Sequence, residues 1–272
     1  MTNPSTGPEW VKYTRADDLT RAMTRCHCNG KGYVTFPFPS GHPLQYKAIR
    51  CYCLEQQLQL ARAKKLREES GLTEEVLAKW TFESWHPEYI ATSDKDQIER
   101  ARRIKELCMT YAQKPTRWLT LTGKTGTGKT HLACAITSAL LARNIPAYMV
   151  KVADLVDQLR ATNSEKAKRT ELELIDWCKM VRVLILDDLA AQRVTAYSNE
   201  KLLQITDWRY MNDLPTVFTT NLHIRGADQS MILDGIDLDI RILSRLQEGL
   251  ILTCNWEDWR TNLHGPQARM LK

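Results

Sequence analysis

Five short apolar or β-branched runs, Trp118–Thr122, Ala147–Lys151, Val181–Leu186, Thr216–Thr220 and Leu250–Cys254, recur along the chain with helix-forming stretches between them. Several are apolar throughout rather than alternating, which marks strands buried on both faces. Their alternation with helices predicts an α/β fold on a five-stranded parallel sheet. Ahead of them DQIERARRIKELCMTYAQ reads as a helix closed by Pro115, preceded by the aromatic segment WTFESWHPEY. Further upstream LEQQLQLARAKKLR has strong helix formers and no Gly or Pro. The runs YVTFPF and LQYKAIR, on either side of Pro39-Ser40-Gly41-His42, predict a hairpin. The pattern divides the chain near Gly71, into an N-terminal module over 1–70 and a larger α/β domain over 71–272.

With 272 residues, the chain is long enough for one sizeable core and a small attached module. A hydrophobic content of 43%, with no apolar run of membrane-spanning length, predicts a soluble protein without a membrane role. The N-terminal MTNPSTGPEW lacks the basic and apolar segments of a secretory signal, so a cytoplasmic location and reduced cysteines are expected. The net charge of +6 is compatible with a nucleic-acid surface but does not require one.

Chemistry concentrates in GKTGTGKT, Gly123, Lys124, Thr125, Gly126, Thr127, Gly128, Lys129 and Thr130, with His131 following. Its glycines allow backbone N–H groups to turn toward phosphate oxygens, and the helix that follows directs its positive end at them. Lys129 is expected on the β- and γ-phosphates and the Thr130 hydroxyl on Mg²⁺. The loop follows WLTLT and precedes HLACAITSALLAR, which is the strand-loop-helix setting such a loop needs. In VRVLILDDL an apolar strand runs into Asp187 and Asp188 at the sheet edge where ligands bind. Asp187 is expected beside Mg²⁺ with Thr130. Asp188 stands as the base that polarises the attacking water, one methylene shorter than the Glu commonly found there, which predicts slow hydrolysis. Asn221, at the end of TVFTTN, either orients that water or simply ends a strand. Arg241 and Arg245, at i,i+4 spacing in IRILSRLQEG, share one helix face; that face is either solvated or meets a neighbour's γ-phosphate.

Cys26, Cys28, Cys51 and Cys53 crowd one short stretch, whereas the other four cysteines are scattered through apolar patterns. Four thiolates around a hairpin could hold a tetrahedral Zn²⁺ in place of a core too small to fold alone. Because each pair has one intervening residue rather than two, His27 or His42 could replace a cysteine.

Taken in order, SGLTEEVLAKWTFESW, GKTGTGKTHLACAI, LILDDL, FTTNL, SRLQEG and NWEDWR resemble AAA+ ATPases of the DnaC/DnaI type, bacterial replicative-helicase loaders close to IstB-like ATP-binding proteins. The resemblance implies an AAA+ P-loop core and ATP hydrolysis that depends on assembly. It assigns Asn221 as the sensor-one residue, Arg245 as the arginine finger and Arg241 as its companion. It implies a short or absent C-terminal lid, since only Asn255–Lys272 follow the last strand. The implied partners are a hexameric DnaB-type replicative helicase, gripped by the zinc module, single-stranded DNA, and further copies of the chain. Basic loops such as Lys166-Ala167-Lys168-Arg169 are the expected DNA contacts, or else a solvated face. A transposition accessory ATPase and a non-hydrolysing ATP-dependent scaffold are the alternatives.

Overall fold

The computed structural model describes residues 9–89, 94–161, 170–189, 195–222, 224 and 238–256. The expected DNA-contacting run Lys166–Arg169 and the tail after Trp256 lie outside these residues. The chain divides into two compact units, Met1–Lys65 and Leu66–Lys272.

In the N-terminal unit α1 (Ala16–Ala22) precedes a hairpin of β1 (Tyr33–Val34) and β2 (Ile49–Arg50), and α2 (Tyr52–Glu68) follows. The strands are two residues each, much shorter than the two β-prone runs. Pro37, Pro39 and Pro43 explain the difference, since each removes a donor that a longer ladder would need. Leu19, Met23, Phe38, Leu44 and Ile49 form the small core.

The larger unit is a five-stranded parallel sheet with helices on both faces. Its elements are α3 (Glu74–Lys79), α4 (Lys95–Gln113), β3 (Leu119–Gly123), α5 (Lys129–Ala142), β4 (Ala147–Lys151), α6 (Val152–Ala161), α7 (Glu171–Met180), β5 (Val183–Leu189), α8 (Ala196–Met211), β6 (Thr216–Thr220), α9 (Ile240–Glu248) and β7 (Leu250–Cys254). The strand order is β4-β5-β6-β3-β7. Because successive residues of a strand face opposite ways, each strand feeds two cores. Leu119, Leu121, Met149, Val183, Ile185 and Val217 pack with α4 and α5. Tyr148, Val150, Leu184, Leu186 and Phe218 pack with α6, α7, α8 and α9. Among the described residues no helix is long and apolar enough to cross a membrane.

One buried cation ties the second layer together. Arg209 of α8 is fully buried and donates to Thr216 Oγ1, to the carbonyls of Cys178, Lys179 and Val181, and to that of Pro215. It thereby closes the carbonyl end of α7, where a positive charge complements the helix dipole, and fixes the starts of β5 and β6. Burial lowers its pKa to about 10, which still leaves it charged at neutral pH. Arg209→Met would strand these acceptors without a donor and is expected to lower stability by about 3–5 kcal/mol. Denaturant unfolding should show this as a shifted midpoint with an unchanged slope; an unshifted midpoint would remove Arg209 from this role.

Candidate functional site: the phosphate loop and its acidic edge

The loop from Gly123 to Thr130 joins β3 to α5. Gly123, Gly126 and Gly128 have φ of +141°, +77° and +85°, conformations that glycine adopts without strain. A Cβ at Gly128 would lie 2.5 Å from Trp85 Nε1, so close packing as well as φ requires glycine there. Lys129 is 7% exposed, and its ammonium donates to the carbonyls of Gly123 at 2.8 Å and Lys124 at 2.7 Å.

Two tryptophans brace the loop from outside. Trp256 Nε1 donates to the Thr127 carbonyl at 2.9 Å, and the Trp256 ring meets Trp85 edge-on at 6.1 Å between centroids. Lys105 of α4 donates to the Trp85 carbonyl at 2.9 Å. The imidazole of His131 is turned away from the loop. It stacks on Trp80 at 5.6 Å, and its Nε2 lies 3.0 Å from the Thr81 carbonyl and 3.1 Å from Ser84 Oγ. Burial holds its pKa below the usual value. The ring therefore anchors the aromatic segment to α5 and offers no cation to a phosphate. The segment WTFESW was legible in sequence as aromatic and as part of the family resemblance; its place against the loop is set by the fold.

At the acidic edge, Asp187 is 1% exposed, and its Oδ1 accepts from Thr130 Oγ1 at 3.0 Å and from Thr219 Oγ1 at 2.6 Å. Burial raises its pKa, against the two hydroxyls that favour the carboxylate. The strand does not stop before the pair, as its apolar run suggested, but continues to Leu189 through a register slip between Leu186 and Leu189. Asp188 sits in this bulge at φ +60°, with its side chain exposed and its N–H donating to Thr219 Oγ1 at 2.8 Å. A bulge gives two consecutive residues different aims: Asp187 turns in toward Thr130 and Asp188 out to solvent.

Thr219 was not singled out in the sequence, yet its hydroxyl donates to the Asp187 carboxylate and accepts from the Asp188 backbone N–H. The available signal was a threonine inside an apolar strand, since a buried hydroxyl requires partners. Asn221 follows β6 directly with its side chain exposed. The next residue, Leu222, accepts a hydrogen bond at its carbonyl from Thr122 Oγ1, one residue before the loop. This bond ties Asn221 to the strand that carries the loop.

The two arginines of α9 separate. Arg241 binds both oxygens of the N-cap Asp239, at 3.0 and 2.8 Å. The Arg245 side chain is 17% exposed, forms an ion pair with Asp207 of α8 and lies over the Tyr210 ring at 4.9 Å. Tyr210 OH in turn donates to Glu248.

In the N-terminal unit, the four sulfurs of Cys26, Cys28, Cys51 and Cys53 lie within 4.8 Å of one another, with separations of 3.7, 3.3 and 4.0 Å along three of the edges. A tetrahedral Zn²⁺ with bonds of about 2.3 Å needs sulfurs about 3.8 Å apart, so the set fits. Backbone N–H groups of His27 and Gly32 donate to Cys51 and Cys28 sulfurs at 3.1 and 3.0 Å. Backbone hydrogen bonds, that to Gly30 foremost, pull the Cys26 thiol down to about 6, and its bond with Cys28 pushes Cys53 up to about 12. His42 does not join the cluster: its Nε2 bonds the Val11 carbonyl and its Nδ1 accepts from Leu44 N–H. His27 packs its ring against Phe36. The four cysteines suffice without either histidine.

A parallel sheet with the β4-β5-β6-β3-β7 order, a phosphate loop after β3 and an acidic pair on β5 defines an AAA+-type nucleotide-binding domain. The chain belongs to the family described as IstB-like ATP binding protein, whose model matches residues 46–260. The Replicative helicase loader DnaC of Buchnera aphidicola subsp. Baizongia pistaciae is 33% identical over 145 residues, 53% of this chain and 56% of that protein. Against this relative the chain spans little more than half the length. The Replicative helicase loader DnaC of Escherichia coli K12 is 25% identical over 223 residues, 81% of this chain and 84% of that one. Among solved structures, AMPPCP-bound DnaA from Aquifex aeolicus shares the fold at a TM-score of 0.52 with 20% identity, over 65% of this chain and 50% of that one.

ATP binding is thus a family property of the chain. The Thr130 hydroxyl and Asp187 carboxylate are the hard oxygen donors that Mg²⁺ takes, and a bound Mg²⁺ would supply charge neutralisation across the β- and γ-phosphates. Thr219→Val, which removes the hydroxyl between the acids, is expected to weaken Mg-ATP binding about 10- to 100-fold relative to ATP in EDTA, the worth of a hydrogen bond to a charged group. Thr219→Ser should restore it. Equal losses with and without Mg²⁺, measured calorimetrically, would make Thr219 a packing residue only. Elemental analysis of the purified chain is expected to find about one zinc; a metal-free chain that keeps its fold would exclude the four-cysteine site.

Proposed function

We propose that this protein is an ATP-controlled loader of a replicative helicase, and that ATP is hydrolysed slowly at sites completed by neighbouring copies. The observation that carries this reading is the alignment with the Escherichia coli relative named as such a loader, along 81% of this chain, together with a phosphate loop and acidic edge built for Mg-ATP. Lys129 leaves its two loop carbonyls for the β- and γ-phosphates. Asp187 and Thr130 hold Mg²⁺, and Asn221 and Asp188 face the attacking water, with Asp188 as base. The hexameric helicase is gripped through the N-terminal unit, and single-stranded DNA is held by the ATPase domains.

Arg245 acts in this scheme as the arginine finger on a neighbour's γ-phosphate, with Arg241 as its companion. The ion pair with Asp207 then has to open on assembly, which supports turnover that depends on neighbouring copies. The family match favours one other reading, an accessory ATPase that delivers a transposase to target DNA. Recovery of a hexameric helicase by the tagged protein supports the loader, and recovery of a transposase instead would replace it.

Lys129→Ala should lose ATP binding by at least tenfold, since the variant removes the side-chain cation that the chain's own loop directs at the β- and γ-phosphates. Arg245→Ala should bind ATP normally in equilibrium titrations and lose turnover in the assembled state by about 10³-fold or more. Unchanged assembled turnover would dismiss Arg245 as the finger.

A further inference from the structure

The chain's excess charge is confined to one unit. Residues 1–65 contain ten Lys and Arg against four Asp and Glu, a net charge of +6. The whole chain carries 38 against 32, also +6, so the remaining 207 residues balance at 28 against 28. The basic character that composition attributed to the chain at large is therefore a property of the cysteine unit.

Three of the unit's four acids are already committed. Asp17 and Glu55 pair with Arg50 at 2.7 and 3.3 Å, and Asp18 pairs with Arg15 and Arg21. Arg25, Lys31 and Lys47 are exposed and have no ion pair among the described residues. Arg25 and Lys31 bracket the turn that carries Cys26 and Cys28, and Lys47 leads into β2. The same segments carry two exposed aromatics. Tyr33, two residues after Lys31, is 53% exposed, and Tyr46, immediately before Lys47, is 89% exposed. Tyr46 has φ of +61°, a conformation that costs a bulky residue about 1–3 kcal/mol. A large ring held in solvent on a strained backbone gains nothing from the unit's own packing.

We infer that the cysteine unit is itself a single-stranded nucleic-acid-binding surface, in which Arg25, Lys31 and Lys47 contact backbone phosphates and Tyr46 and Tyr33 stack on unpaired bases. Cations that attract a polyanion and interleaved rings that accept any base face are the two parts such a surface needs. An acidic protein would satisfy the cations but would leave the rings without their π-faced partner. Even if four thiolates and one Zn²⁺ add a formal −2, the unit remains at +4. This inference goes beyond the loader reading, which assigns DNA to the ATPase domains, and it does not require ATP.

The test is fluorescence anisotropy of labelled oligo(dT), oligo(U) and a duplex of equal length with the full chain, without nucleotide, at several salt concentrations. Binding of the single strands is expected to exceed that of the duplex; the oligo(dT) to oligo(U) ratio tells DNA from RNA. The double variant Lys31→Glu/Lys47→Glu should weaken binding at least tenfold and flatten the slope of log K against log salt by about 1.4, the share of two phosphates on a single strand. Tyr46→Ala should weaken it about 5- to 100-fold at an unchanged slope, the worth of one stacked base. All three side chains are exposed, so thermal melting and ATP binding should match the parent. No oligonucleotide binding at low salt, or binding that these variants leave unchanged, overturns the inference. So does a loss of helicase capture with oligonucleotide affinity intact, which would make the surface a protein contact. Because helicase capture and oligonucleotide binding are measured separately, the loader reading and this one can fail independently.

Discussion

Strand β6 lies between the strand that ends in the phosphate loop and the strand that ends in the acidic pair, and the site depends on what β6 carries across that gap. Thr219 donates to Asp187 and accepts from the Asp188 N–H. Asp187 in turn receives the Thr130 hydroxyl from the first turn of α5. A chain of hydroxyl contacts thus runs from the loop helix to the acidic strand and on to the inserted strand. A carboxylate buried to this degree is tolerated only with such donors. The same donors fix where a divalent cation would be met.

The loop itself is held by two sets of side-chain contacts to its own carbonyls. The Lys129 ammonium occupies the carbonyls of Gly123 and Lys124, while Trp256 holds the Thr127 carbonyl from the far side. A phosphate oxygen is a stronger partner for an ammonium than a peptide carbonyl. Under the proposed ATP-binding role the Lys129 contacts are therefore the exchangeable ones, while Trp256 braces the loop through Thr127.

Much of this was legible in the order of residues. The five strands emerged from apolar runs because a sheet covered on both faces leaves no polar side to its strands, and the GKTGTGKT motif declared its loop between a strand and a helix through spacing alone. The aromatic segment, by contrast, gave no sign that Trp85 would pack against Gly128. The i,i+4 arginines read alike, yet one pairs with Asp239, the residue that caps its own helix, and the other is drawn to Asp207. Helical spacing says which residues share a face but not which neighbour that face meets.

The sequence by itself determined the local chemistry: glycines where φ must be positive, a lysine and threonine at the loop's end, two adjacent aspartates, four clustered cysteines. Each of these follows from residue type and short-range spacing. Only the tertiary structure decided the long-range pairings: Thr219 between the two acids, Trp256 on a carbonyl 129 residues earlier, two cysteine pairs closing to one cluster. It also showed that the whole net charge belongs to the smaller unit, because the boundary between units is a property of packing. Residue types set what a group can bond, and the fold alone sets which groups come within bonding distance.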